Sequence, residues 1–251
     1  MKNVLQKIIK SGVITWIILI VIWGVVSLFY TETFFSSPIE TFKGFKEILL
    51  NGKLGEDFRV SMTRVIIGWI RALVIGIPIG LLIGRFKLFS WFIEPVINFF
   101  RFVPAIGFLT LFLMWFGVGE ESKLVLITYA SLFPIVINTI AGVNTIDPIK
   151  YHAAESLGAN AIQSFFTITI PSVVPSILTG ARLGLSSAII SIVGAEMLAA
   201  NSGLGYLIYT SRLYYRTDYI FVGIVTLGIL GFLADRLLRL FAQKSLRRYG
   251  V

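Results

Sequence analysis

The sequence predicts an all-α integral membrane protein with six transmembrane helices, and three observations carry that prediction. Charged residues, 22 basic and 13 acidic, make up 14% of the 251 residues, whereas a soluble domain is about 25% charged. Hydrophobic residues reach 56%. A single core of this size cannot hide that much apolar surface from water, so the chain needs a bilayer as a second solvent. The apolar residues also fall in runs of about 20 that carry few or no charges, the length that crosses the hydrocarbon core as a helix.

The runs come in order. Residues 11–31 contain no charge and follow Lys2, Lys7 and Lys10. A secretory leader is rejected here, because the run is too long and no small-residue cleavage site follows before Phe34. The next spans are predicted at about 65–84, interrupted by Arg71, and 95–116, interrupted by Arg101 and carrying Pro104, where the helix loses a backbone hydrogen bond and can kink toward a cavity. Residues 124–146 make a fourth span, 172–195 a fifth that includes Arg182, and 219–238 a sixth with Asp235 and Arg236 near its end. Between the first two spans, Phe42, Phe45, Ile48 and Leu49 recur at helical spacing and predict a short helix over 38–50. It is either interfacial or simply packed on the surface. The expected organisation is a cytoplasmic N-terminus over 1–10 and a single transmembrane domain over 11–251.

Orientation follows from where Lys and Arg fall. With the N-terminus inside, the inner segments hold Lys2, Lys7, Lys10, Arg85, Lys87, Lys150, Arg236, Arg239, Lys244, Arg247 and Arg248 against Glu94, Asp147, Glu155 and Asp235. The outer segments hold nearly balanced charge. Both termini are therefore expected in the cytoplasm, with the chain multi-pass in the cell (inner) membrane.

Several chemistries are disfavoured by the inventory. Cysteine is absent and there is one histidine, so disulfides, thiolate nucleophiles, Cys- or His-based metal sites and a Ser-His-Asp triad are not expected. The net charge of +9 is spread thinly between apolar runs rather than gathered into a patch, so nucleic acid is not an expected partner.

The segment 147–171 carries the most information. Asp147-Pro148 is a helix start, Ala153, Ala154 and Leu157 then share a face, and Gly158 ends the turn or permits a bend. Ile162, Phe165 and Phe166 form an apolar stripe that stops at Ile170-Pro171. A helix–Gly–helix with small residues on one side is shaped to accept another protein at close range.

This segment resembles the "EAA" loop of the membrane subunits of binding-protein-dependent ABC importers: Glu-Ala-Ala, three residues, Gly, nine residues, Ile-x-Leu-Pro. Here it reads His152-Ala153-Ala154, Gly158, Ile168 and Ile170-Pro171. Further stretches, Arg101 to Pro104, Trp115 to Gly119, Phe133 to Thr139, Gly194 to Met197 and Ser202 to Gly205, are similar to the nitrate/sulfonate/taurine group of these permeases. The likeness covers roughly residues 55–245. It implies a type I ABC importer permease fold with a cytoplasmic coupling helix, a homodimer in membrane lipid, two ATPase subunits beneath it and an external solute-binding protein. The substrate implied is a small oxyanion such as a sulfonate, taurine or nitrate, with a thiamine precursor or another small organic compound as the alternative.

The chain itself is expected to be a transport subunit without enzymatic activity or bound cofactor, ATP and Mg being held by the partner ATPase. Consistent with that, it has no phosphate-loop motif; residues 117–123 have the wrong spacing and two acidic residues. The resemblance assigns coupling to His152, Ala153, Ala154, Glu155, Gly158 and Pro171. His152 stands where the family has Glu, and Glu155 one turn later is the candidate substitute.

Candidates for the pathway or its gate are Arg101, Pro104, Arg182, Glu196 and Asn201, since charges at membrane depth are costly and functional by default. Arg182 reads as a ligand for an anion or as the structural partner of Asp235, and Arg101 as facing the pathway or anchoring a helix end. Arg71 is expected to snorkel to the headgroups. Gly76, Gly80 and Gly84 mark close helix packing, within one subunit or between two. Asn201 to Gly205, with Glu196, is a gate, a contact for the binding protein, or a turn.

Two rival classes weigh less. A secondary carrier working without ATP predicts inverted repeats or carboxylate relays in the spans, and neither is visible. A membrane enzyme predicts paired catalytic groups, and none is present.

Overall fold

The computed structural model describes residues 13–246. The expected cytoplasmic N-terminus and Arg247 and Arg248 lie outside the described residues. Among those described, every regular element is helical. The order is α1 (Val13–Ser27), α2 (Pro38–Leu50), α3 (Lys53–Arg85), α4 (Lys87–Phe100), a 3-10 turn (Ala105–Phe108), α5 (Leu109–Phe116), α6 (Glu120–Asn144), α7 (Pro148–Ser156), α8 (Ala161–Ser164), a π-helical turn (Phe165–Thr169), α9 (Ile170–Ala199), α10 (Leu204–Leu213) and α11 (Thr217–Leu246).

The helix α6 is the axle of the molecule, packed along α3 on one side and α9 on the other. On α3 the buried residues Ser61, Val65, Gly68, Ala72, Gly76 and Gly80 recur every three or four positions and make one stripe. Glycines let the backbones nearly touch along it. A Cβ at Gly68 would lie 2.7 Å from Ile127, one at Gly80 2.6 Å from Thr139, and one at Gly84 2.6 Å from Val143. The glycine seam thus serves packing within one subunit. On the other side Gly180 and Gly184 of α9 meet Asn138 and Ile135 in the same way.

At one end of this three-helix core α3 and α6 begin and α9 finishes; it will be called the network end. The opposite end, where α3 and α6 finish and α9 begins, carries α7 and α8 and will be called the loop end. At the network end α2 is capped by Ser37, whose hydroxyl accepts from the Glu40 N–H at 3.2 Å, with Pro38 in its first turn. Arg216 ties α2 to the start of α11, bonding Glu47 at 2.8 Å and Asp218 at 2.8 and 3.0 Å. Its guanidinium holds the Glu47 carboxyl below its ordinary range.

Among the described residues, four helices are long and apolar enough to cross a membrane: Lys53–Arg85, Glu120–Asn144, Ala161–Ala199 and Thr217–Leu240. The helix α1 is shorter, at 15 residues, with nearly every side chain exposed. Two sequence expectations need correction. The run 95–116 is broken and not merely kinked, and its helix already starts at Lys87: α4 and the following Ala105–Phe116 meet at 90°. Pro104 has no N–H to donate and disfavours a helical Val103, so the chain turns there instead of continuing. The second element is also longer than 65–84: its first turns bury one face, with Leu54, Asp57, Ser61 and Arg64, inside the protein. Arg64 is met there by Glu120 and Glu196, and one Asp57 oxygen by the Gly203 N–H, contacts that a hydropathy window cannot register.

Candidate functional site

Three regions hold the functional candidates: the loop end, a cleft at mid-depth, and the network end.

At the loop end, Asp147 starts α7 by accepting the Ile149 N–H at 2.9 Å. The helix closes in a Schellman arrangement: the Gly158 N–H bonds the Glu155 carbonyl and the Ala159 N–H the Ala154 carbonyl, both at 2.9 Å. That closure needs a left-handed residue, and Gly158 supplies it at φ +82°. A capping box between Asn160 and Gln163, with both bonds at 2.8 Å, then starts α8. The corner is therefore rigid although it protrudes. It is anchored to the bundle by Tyr151, whose hydroxyl pairs with that of Thr169 at 2.8 Å while Arg85 stacks over its ring at 4.7 Å.

No residue of α7 is buried. Ala153 is exposed and Ala154 half-buried, and Ile149, Leu157, Ile162 and Phe166 are open to solvent at 70%, 89%, 71% and 64%. His152 and Glu155 are both exposed and 3.8 Å apart, too far and too wet to bind each other strongly. Pro171 sits in the first turn of α9, directly after the π-helical turn and inside a helical run that is continuous over Ala161–Ala199. The segment combines a fixed backbone with an unpartnered apolar surface.

At mid-depth the break between α4 and α5 opens a cleft of about 680 Å³ against α6 and α9. Arg101 and Pro104 line it, with Tyr129, Asn138, Ser187 and Ser191 among the residues opposite. The Tyr129 hydroxyl holds the break in place through the Phe100 carbonyl at 2.8 Å. Arg182 does not line this cleft. It turns to α11 and bonds Asp235 at 2.7 and 2.8 Å, so of the two readings open for it, the pairing with Asp235 is what the structure contains. Arg71 likewise pairs with Glu121 at 2.6 Å rather than reaching for headgroups alone.

At the network end Glu196 is fully buried. Its carboxylate accepts from Arg64 at 2.7 Å, from the Gly205 N–H at 2.9 Å, and from the Ser61 hydroxyl at 2.8 and 2.9 Å. Arg64 also grips Glu120 through two bonds of 2.6 Å and the Ser202 carbonyl at 2.7 Å. Lys123 donates to the carbonyls of Gly119 and Ala199 at 2.9 and 3.1 Å. Asp57 accepts the Gly203 N–H at 2.7 Å. Gly203 is required: at φ +118° its added Cβ would stand 2.3 Å from the Glu196 carboxylate. Glu196 is thus the hub of a lock that pins residues 200–205 to three helices, and not a side chain facing an opening. Asn201 stays exposed beside a cavity of about 370 Å³ that Arg64, Glu120 and Lys123 also line.

Arg64, Ser61, Asp57, Glu120 and Lys123 were not singled out from the sequence. A signal existed in the spacing: Arg64 and Arg71 lie seven apart on one helix face, and their partners Glu120 and Glu121 open the helix that packs there. Among the described residues no group of three or more His, Cys, Asp or Glu is placed to hold a metal ion.

Comparison with known proteins agrees with this architecture. Residues 76–247 match the family described as the binding-protein-dependent transport system inner membrane component. A protein of Brucella melitensis named as an ABC transporter permease is 39% identical over 80% of this chain and 82% of its own length. The taurine transport system permease protein TauC of Escherichia coli is 32% identical over 80% of this chain and 73% of its own. Among solved structures, an inward-facing form of the MetNI methionine ABC transporter superposes with a TM-score of 0.66 at 18% identity, covering 82% of this chain and 98% of that one.

Proposed function

The chain belongs to the family of binding-protein-dependent transport system inner membrane components, and from that premise we propose that two copies of it form the membrane pathway of an ATP-driven importer for a small oxyanion. Taurine is what one relative's name says that relative transports, and a sulfonate-like anion is the substrate class assigned to this chain. Counting α1 and the bent pair α4–α5 as one crossing each gives six, so both termini share a side with the loop end, and the Lys and Arg gathered in the segments on that side support the cytoplasm. Two ATPase subunits dock there, and an external binding protein delivers substrate at the network end.

The observation that carries this reading is the loop-end corner. Its backbone is fixed by the Schellman closure and the capping box, and its apolar surface lacks a partner. A rigid knob of that kind transmits force instead of absorbing it. When ATP draws two ATPases together, the knobs of two subunits move with them, and continuity from the π-helical turn into α9 carries the displacement into the span. His152 in place of the family's Glu leaves Glu155 as the acidic residue on the knob.

The test is assembly and energetics. The purified chain is expected as a homodimer holding two ATPases, with uptake into liposomes that requires ATP. Transport by the chain without ATPases would make it a secondary carrier. Topology is tested separately: Lys53→Cys and Asn160→Cys, both exposed and at opposite ends, are expected to react with a membrane-impermeant thiol reagent from opposite sides, Lys53→Cys from outside.

A further inference from the structure

Three arginines lie within the apolar runs, and the structure treats one of them differently. Arg71 is neutralised by Glu121 and Arg182 by Asp235. Arg101 has no carboxylate within ion-pair distance among the described residues, and its charge meets only the face of Phe102, 4.7 Å from the ring centroid. It stands at the mouth of the break between α4 and α5. Tyr129, which fixes the level of that break, lies nine residues into α6, about 14 Å from the network end. A guanidinium exposed to the cleft without a counter-ion at that depth is a charge that an entering anion can pair with.

The remainder of the cleft suits one kind of anion. Asn138 uses only one amide N–H, on the Pro134 carbonyl, and retains the other. Ser191 forms no hydrogen bond with the described residues, while the Ser187 hydroxyl donates to the Leu183 carbonyl one turn back, a bond that a ligand oxygen can replace. Phe133, Ile137 and Ile190 supply an apolar wall beside these groups.

We propose that Arg101, with Asn138 and Ser191, forms an intramembrane selectivity site that takes the charged head of a small organic oxyanion while the apolar wall takes its short carbon body. The proposal deepens the importer reading and rests on it. It favours an organosulfonate over a bare inorganic anion, which has no body for the wall, and it disfavours a cationic thiamine-like solute, which Arg101 repels. Arg101 acts as a forked donor to two oxygens of one head group.

The complete importer, with ATPases and binding protein, is reconstituted in liposomes with ATP, and uptake of labelled ethanesulfonate and labelled thiamine is followed. Wild type is expected to take up ethanesulfonate and not thiamine. Arg101→Gln is expected to lower ethanesulfonate uptake about tenfold or more, the factor set by one lost charge-assisted hydrogen bond. Its ATPase subunits should stay bound and its complex should elute unchanged. Arg101→Lys, which keeps the charge, is expected to retain more uptake than Arg101→Gln. Uptake by Arg101→Gln within about twofold of wild type, below any hydrogen-bond effect, would overturn the site while leaving the importer standing. Equal loss in both variants with a dissociated complex would make Arg101 structural and overturn the site too. Uptake of thiamine, or of neither probe, would overturn the substrate class, and uptake without ATP would overturn the importer reading itself.

Discussion

The two ends of the helical bundle are built on opposite principles. At the network end, charges from α3, α6 and α9 are satisfied by one another: Glu196 is sealed in with Arg64, and Arg64 with Glu120. At the loop end, α7 buries no residue: apart from the anchor that Tyr151 makes to Thr169 and Arg85, it is held by its own caps. The difference teaches where this chain is complete. Internal pairing makes the network end a finished structure, while the loop end is a finished backbone with an unfinished surface. Damage at the first should therefore unfold the subunit, and damage at the second should release a partner from a subunit that stays folded.

Arg64→Met is the most severe way to probe that contrast. It leaves Glu196 buried without its cation, a situation that costs on the order of 3–5 kcal/mol. Thermal unfolding of the purified protein in detergent should show a large drop. The double variant Arg64→Met with Glu196→Gln should recover part of it, because the uncompensated charge is gone. Equal stability of Arg64→Met and wild type would mean that the network end is held by packing alone.

Gly158→Val comes next. A β-branched residue at φ +82° carries strain of about 1–3 kcal/mol, yet nothing lies within 4 Å of the added Cβ. The strain should therefore be relieved by reshaping the corner and not by unfolding the bundle. ATPase subunits should be lost, or their hydrolysis uncoupled from uptake, with the melting of the membrane subunit nearly unchanged. A melting drop as large as that of Arg64→Met would erase the contrast between the ends.

Arg182→Met breaks a pair that is about one-third exposed on each side, and about 1–3 kcal/mol is expected, between the values for surface and buried pairs. Asp235→Asn should cost a similar amount, and the two together less than their sum. Arg71→Met is expected to do least, about 0–1 kcal/mol, since Arg71 and Glu121 are both well exposed.

The sequence was most legible where local spacing decides the outcome. The motif around Ala153 and Gly158 reads directly, because helix caps and left-handed glycines depend on neighbours a few residues away. Gly76, Gly80 and Gly84 announce a close seam by their four-residue interval, although which helix fills it depends on the tertiary fold. The network end was illegible for the opposite reason: Ser61 and Glu196 meet across 135 residues of chain, and charges just outside an apolar run look solvated until their partners are placed. Pro104 signalled a kink, but the 90° turn needed Tyr129 to hold it. Arg182 and Asp235 were both visible, and only the tertiary fold brings them to 2.7 Å.

The central claim, that the loop end is the surface a partner completes, is tested most directly by protection. In this cysteine-free chain, Ala153→Cys at the loop end and Asn201→Cys at the network end are each exposed to a thiol reagent, with and without the ATPase subunits. The account predicts that both react in the isolated dimer and that the ATPases shield Ala153→Cys alone. Unchanged labelling of Ala153→Cys in the presence of bound ATPases would contradict it.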